Sequence, residues 1–226
     1  MRKSILITSV CLSLFCIVFS SEAQIEKGMK VLGGSVSFSN SNSKQKDSLS
    51  GQSNKGFGFI VNPQIGVFVS NKVCLGVSGF FGYDKWNYSN YYYSNSNSLK
   101  GHSMSYGLSP YVKYFKKFGD NFYGYARGYA SFGLQNGYTK SATNTFVPTP
   151  SESRTTGYNY SAGVGFGLTY FVTPKLALDV SLANFGYNHS SNSLKDKSYD
   201  TYNKSSGFFS RVGLNGIGLG LNYYFK

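Results

Sequence analysis

Two histidines and a surplus of serines bound any hydrolytic chemistry in this chain. His189 is followed by Ser190 and Ser191 in "NHSS" (188–191), and Glu152 lies upstream. A base, a hydroxyl and a carboxylate are the ingredients of nucleophilic hydrolysis. His102-Ser103 repeats the base–hydroxyl adjacency. Serine is so common here that such adjacency is expected by chance, and geometry rather than adjacency defines a site of this kind. Both histidines are therefore read as loop residues, with hydrolysis kept as an alternative.

Three other groups carry potential chemistry. Lys113, Arg127 and Asp179 are isolated charges in stretches otherwise almost free of charge. The segment "DKWNYSNYYYSNSNS" (84–98) sets Trp86, Tyr88, Tyr91, Tyr92 and Tyr93 among Asn and Ser. Such a composition suits stacking on sugars and hydrogen bonding to hydroxyls; its other reading is an interfacial aromatic belt followed by a solvated loop. Lys44, Lys46, Lys55, Lys100, Lys140, Arg154, Lys195, Lys197 and Lys204 are scattered through the polar segments, where they could neutralise phosphates. No cofactor or metal is expected.

The elements that must position these residues follow from the pattern. Residues 1–23 begin with Arg2 and Lys3, run apolar from Ile5 to Phe19 and end Ser21-Glu22-Ala23. That is a secretory signal, cleaved before Gln24. A lipoprotein signal at Cys16 needs a small preceding residue, and Phe15 stands there. Removal of the signal leaves Cys74 as the single cysteine, which cannot form an internal bridge. Cys74 has inward parity beside a tight turn and is read as packing. No later run is long and apolar enough for a membrane helix. With 22 basic against 9 acidic residues the formal charge is +13, yet an exported chain meets little nucleic acid, so none is expected as a partner.

Period two recurs along the remainder, the signature of strands. Eight segments alternate: 29–40, 56–70, 73–85, 99–115, 121–138, 156–172, 175–188 and 207–225. Their connections are alternately tight (71–72, 116–120, 173–175) and long and polar (about 41–55, 86–98, 139–155, 189–206). One face of each segment is apolar over about ten residues, the length of a tilted membrane-spanning strand. The other face is Gly, Ser and Asn. A soluble sandwich has an equally continuous apolar face, but its wet face usually carries Lys and Glu, which are scarce here. The expectation is an all-β, eight-stranded antiparallel up-and-down transmembrane β-barrel over residues 24–226, with both termini on the short-turn, periplasmic side.

An eight-stranded barrel is just wide enough for its side chains to fill it. Tyr123, Tyr125, Arg127 and Tyr129 are expected to lie inward over Gly163, Gly165 and Gly167, and over Gly216, Gly218 and Gly220. Arg127, Asp179 and Lys113 then form an enclosed charge network with an Arg127–Asp179 pair. The other parity for strand five puts Arg127 near a rim. A filled lumen leaves little room for an ion pathway.

"NPQIGVFVSNKVCLGVSGFFGY" (62–83) and "GLTYFVTPKLALDVSLANFGY" (167–187) resemble the strand–turn–strand pattern of small outer-membrane β-barrels of Bacteroides-type bacteria, related in design to the OmpA membrane domain. The ending "GLNYYFK" is similar to the C-terminal signal of such barrels, with Phe225 as the terminal aromatic, Tyr223 beside it and Lys226 a small departure. The resemblance implies that Tyr223 and Phe225 are read by the barrel-insertion machinery. Outer-membrane barrels of this size include lipid A-modifying hydrolases, which gives the enzymatic alternative; a narrow solute channel is a third reading. "DSL" (47–49) resembles the O-glycosylation acceptor of the same bacteria, making Ser48 a candidate glycan site. The combined reading is a non-enzymatic barrel with a structural or surface-contact role. Its expected partners are outer-membrane lipids, lipopolysaccharide and, as an accessory subunit, an envelope complex.

Overall fold

The computed structural model describes residues 25–47, 49–92, 95–144, 149–195, 200–212 and 218–226. The signal segment, Ser48 and Tyr93 lie outside them, as do Lys197, Gly216 and the side chains of Tyr92 and Lys195. Among the described residues nine strands follow one another: β1 (Lys30–Lys46), β2 (Ser50–Phe68), β3 (Val73–Tyr92), β4 (Asn95–Gly119), β5 (Phe122–Asn144), β6 (Thr149–Phe171), β7 (Leu176–Lys195), β8 (Asp200–Val212) and β9 (Gly218–Phe225). All pairings are antiparallel. Neighbour follows neighbour from β1 to β7, β7 pairs with β9, and β9 pairs with β1. The ladder returns to its start, so the sheet is a barrel of eight staves in which β8 and β9 share the last.

Two expectations are corrected and a third feature is added. The long polar connections are mostly strand. β2 and β3 remain paired out to Ser50↔Tyr92, and β4 and β5 to Ser96↔Asn144. Ser- and Asn-rich staves lack apolar alternation because no apolar phase touches them, yet their backbones still pair. Second, the eighth strand is not continuous. Val212 stands opposite Ala183 and Gly218 opposite Ser181, so residues 213–217 intervene where β7 has only Leu182. Third, Leu182 is itself the extra residue of a β-bulge against β6, between Phe166↔Ala183 and Gly167↔Ser181. A bulge reverses which side chains face in. Below it Ala177 and Asp179 are buried; above it Asn184 lines the lumen while Phe185 and Tyr187 are exposed.

The outer face is apolar. Leu32, Ile65, Leu108 and Leu221 each keep more than half of their surface exposed, Leu108 reaching 62%. The buried apolar cluster lies inside the barrel instead, at the short-turn end: Phe68, Phe115, Tyr123, Phe171 and Tyr224, joined by Cys74, Met29 and Ile25. The segment before β1 folds under this end. Gly28 takes φ 88°, a left-handed turn that favours glycine, and its N–H donates to the Phe68 carbonyl at 2.8 Å. Lys226 meets Glu26 at 2.7 Å, so the two ends of the described chain are adjacent.

Rings over glycines pack the wall. Tyr111 covers Gly76, where an added Cβ would lie 2.5 Å from the phenol oxygen; Tyr125 covers Gly167 in the same way. Gly76→Val should destabilise the barrel by about 1–3 kcal/mol through overpacking, seen as a lower urea midpoint for unfolding from detergent micelles, while Gly207→Ala, at a site with no neighbour in reach, should leave it unchanged.

Candidate functional site

The inward side chains form three tiers above the short turns. The lowest is the aromatic cluster. Phe171 and Tyr224 rings stand 4.8 Å apart, Phe68 and Phe115 5.4 Å, Tyr123 and Phe171 5.5 Å. Each of Phe68, Phe115, Phe171 and Tyr224 is at most 2% exposed. Together they occlude the bore.

The middle tier is ionic and comes from five staves, β3 to β7. Lys113 on β4 and Arg127 on β5 are direct cross-strand neighbours. Like charges in that position repel, and the two side chains diverge. Lys113 Nζ reaches Asp179 Oδ2 at 2.8 Å, with both side chains under a tenth exposed. The Thr169 hydroxyl, opposite Asp179 in the β6–β7 ladder, donates to Oδ1 at 2.6 Å. Lys113 also lies 4.7 Å from the Tyr125 ring centre. Arg127 turns the other way. Its guanidinium stacks on Tyr111 at 4.5 Å and donates through Nη2 to Ser78 Oγ at 2.8 Å. Of the expected Arg127–Asp179 interaction only the longer-range attraction is present; the direct ion pair is Lys113–Asp179, because the long lysine stem reaches the carboxylate. All three residues do line one space.

That space is the third tier. A cavity of about 330 Å³ lies over the ionic layer, walled by Ser78, Ser109, Ser131, Ser161, Asn62, Gln64, Asn184, Tyr129 and Phe80. Tyr129 donates to Asn184 Oδ1 at 3.1 Å. The lumen is therefore stoppered at one end and hollow above, rather than filled throughout. Ile60, on the inward face higher up, keeps 42% of its surface exposed.

The other candidates separate. His189 faces outward and stacks on Tyr160, ring centres 4.7 Å and planes 20° apart. Glu152 bonds Lys140 at 3.0 Å, which holds the Lys140 ammonium above its usual range. Glu152 and Tyr160 are on the same strand, so the acid and the imidazole lie about 26 Å apart at ~3.3 Å per residue. His102 lies between Tyr83 and Tyr138. Trp86 and Tyr88 belong to β3 rather than a loop. Trp86 shares the inward face with Asp84, and its ring covers Gly101; Tyr91 is on the outward face and 40% exposed. Tyr223 is exposed and stacks with Phe225 at 5.9 Å on the outer surface of β9. Among the described residues no group of three or more metal-binding side chains occurs.

Breaking the buried pair should cost more than its net worth. Asp179→Asn should destabilise the fold by about 3–5 kcal/mol by stranding Lys113, and Lys113→Met with Asp179→Leu should recover most of that loss; denaturant midpoints of the three proteins measure both.

Comparison with solved structures gives low-scoring likenesses. Neisserial surface protein A shares 18% identity over 88% of this chain and 98% of that one, with a TM-score of 0.29. Ail, the attachment invasion locus protein of Yersinia pestis, gives 17%, 88%, 99% and 0.32. The outer membrane protease OmpT from Escherichia coli gives 9%, 91%, 99% and 0.37. Comparison with curated proteins finds no match. A family model matches residues 36–225, nearly the whole wall from early β1 to the end of β9, and the chain accordingly belongs to the family described as "Protein of unknown function (DUF3575)".

Proposed function

We propose that the protein is a bacterial outer-membrane barrel that does not conduct and does not catalyse, and that meets other envelope components through its long-hairpin end. The aromatic stopper carries this reading. A bore blocked by four rings that are each at most 2% exposed passes neither solute nor ions in this state. The apolar outer face supports the membrane location, since a monomer in water rarely exposes so continuous a patch. The separation of His189 from Glu152 removes the support for a lipid A hydrolase.

On the same reading both termini lie in the periplasm, and Tyr223 and Phe225 face the lipid interface where the insertion machinery would meet them. Kinship with the OmpA membrane domain and an origin in Bacteroides-type bacteria belong to it as well. The outward cations above the apolar face, among them Lys85, Lys100 and Arg154, suit lipopolysaccharide phosphates. An envelope complex would dock on the hairpins, where Trp86, Tyr88 and Tyr91 extend β3.

Two measurements test this. Val77→Arg on the outward face should cost about 2–4 kcal/mol in lipid vesicles; no loss would place that face away from lipid. In planar bilayers the protein should be silent, and Phe171→Gly with Tyr224→Gly should raise a measurable conductance. Steady conductance by the unaltered protein would overturn the stoppered reading.

A further inference from the structure

The hollow above the ionic layer has an unbalanced charge. Lys113 is neutralised by Asp179 at 2.8 Å. Arg127, facing the same space, has no carboxylate within ion-pair distance among the described residues, and its Nε is buried without a hydrogen-bond partner. An enclosed cation with an unsatisfied donor is costly unless something balances it. Its fixed partners, the Tyr111 ring and Ser78 Oγ, hold the guanidinium in place without supplying negative charge.

The rest of the wall says what kind of molecule could supply it. Ser131, Ser161, Asn184 and Tyr129 offer hydroxyl and amide groups, and Phe80 one ring face. A volume of about 330 Å³ is at the small end of ligand pockets, about 300–1,000 Å³. The aromatic tier lies below this space, at the short-turn end.

We infer that this cavity is a binding site for a small hydroxylated oxyanion of monosaccharide size, its carboxylate or phosphate held by Arg127 and its hydroxyls by the Ser and Asn lining. The guanidinium fork matches either oxyanion. Binding inside the cavity is independent of whether the rim meets a partner, so the two readings fail separately.

The test is calorimetric titration of the protein folded in detergent, at low ionic strength, with three probes: glucuronate, glucose 1-phosphate and glucose. At least one charged probe should saturate the protein at one per barrel, and glucose should not; which charged probe binds identifies the oxyanion. Arg127→Gln should weaken that binding about tenfold or more, while Lys204→Gln at the outer rim should leave it unchanged. Should Arg127→Gln lose the heat-sensitive gel mobility of a folded barrel, Ser131→Phe serves instead, filling the hollow without touching the ion pair, and should abolish binding. Absence of saturation by both charged probes, equal binding of glucose, or undiminished binding by whichever of the two variants folds would overturn the proposal.

Discussion

A backbone whose outer face is apolar has no water there to satisfy its amides, so every rung must find its partner within the sheet. That requirement organises this molecule. It makes β9 serve two neighbours at once, β7 and β1, because a sheet that stopped at either would leave a bare edge at the short-turn end; among the described residues β8, higher up, pairs with β7 alone. It allows the polar staves above to be long, since their ladders continue after the apolar surface has ended. It also fixes the inversion of the usual plan: large apolar side chains cover the outside, and above the short-turn end the axis receives small and polar ones.

Closure then creates a second problem, an axis too narrow for bulk solvent and too wide to be empty. The chain solves it differently along its length. At the short turns, aromatic rings from β2, β4, β6 and β9 meet on the axis and the segment around Gly28 folds beneath them. Above, side chains from β4 and β7 meet as an ion pair whose members sit on opposite sides of the lumen, bracing the wall as well as satisfying charge. Above that, glycines and serines leave space. The rings and the ion pair depend on each other: the aromatic floor excludes water from below Lys113 and Asp179, and their mutual neutralisation makes that dry floor tolerable.

Much of this was legible beforehand. Period-two alternation located the apolar stretches, and the tight turns at 71–72 and 173–175 set their order. The need to keep charge out of an apolar surface turned Lys113, Arg127 and Asp179 inward. What alternation cannot encode is partner choice. Nothing local says that Asp179 answers Lys113 rather than Arg127, because the choice depends on reach across the lumen. The strand extensions were illegible for a related reason: a Ser-Asn stave in water has no apolar face to mark it. Leu182 gave no sign of a bulge, since one additional apolar residue in an apolar run changes nothing until the pairing is seen. The aromatic floor did leave a trace. Phe68, Phe115 and Phe171 each occur where parity calls for an inward residue next to a short turn, and a large ring there signals a stopper.

The interrupted last stave bears on how such a tube is made. Its two halves hold β7 in registers four residues apart, and only the lower half also grips β1, through Lys30–Ser35 opposite Gly220–Phe225. The lower half acts as a clasp and the upper half as a separate flap. A cylinder made this way is fastened through β1 at its lower end, and among the described residues the flap lengthens the wall without closing it.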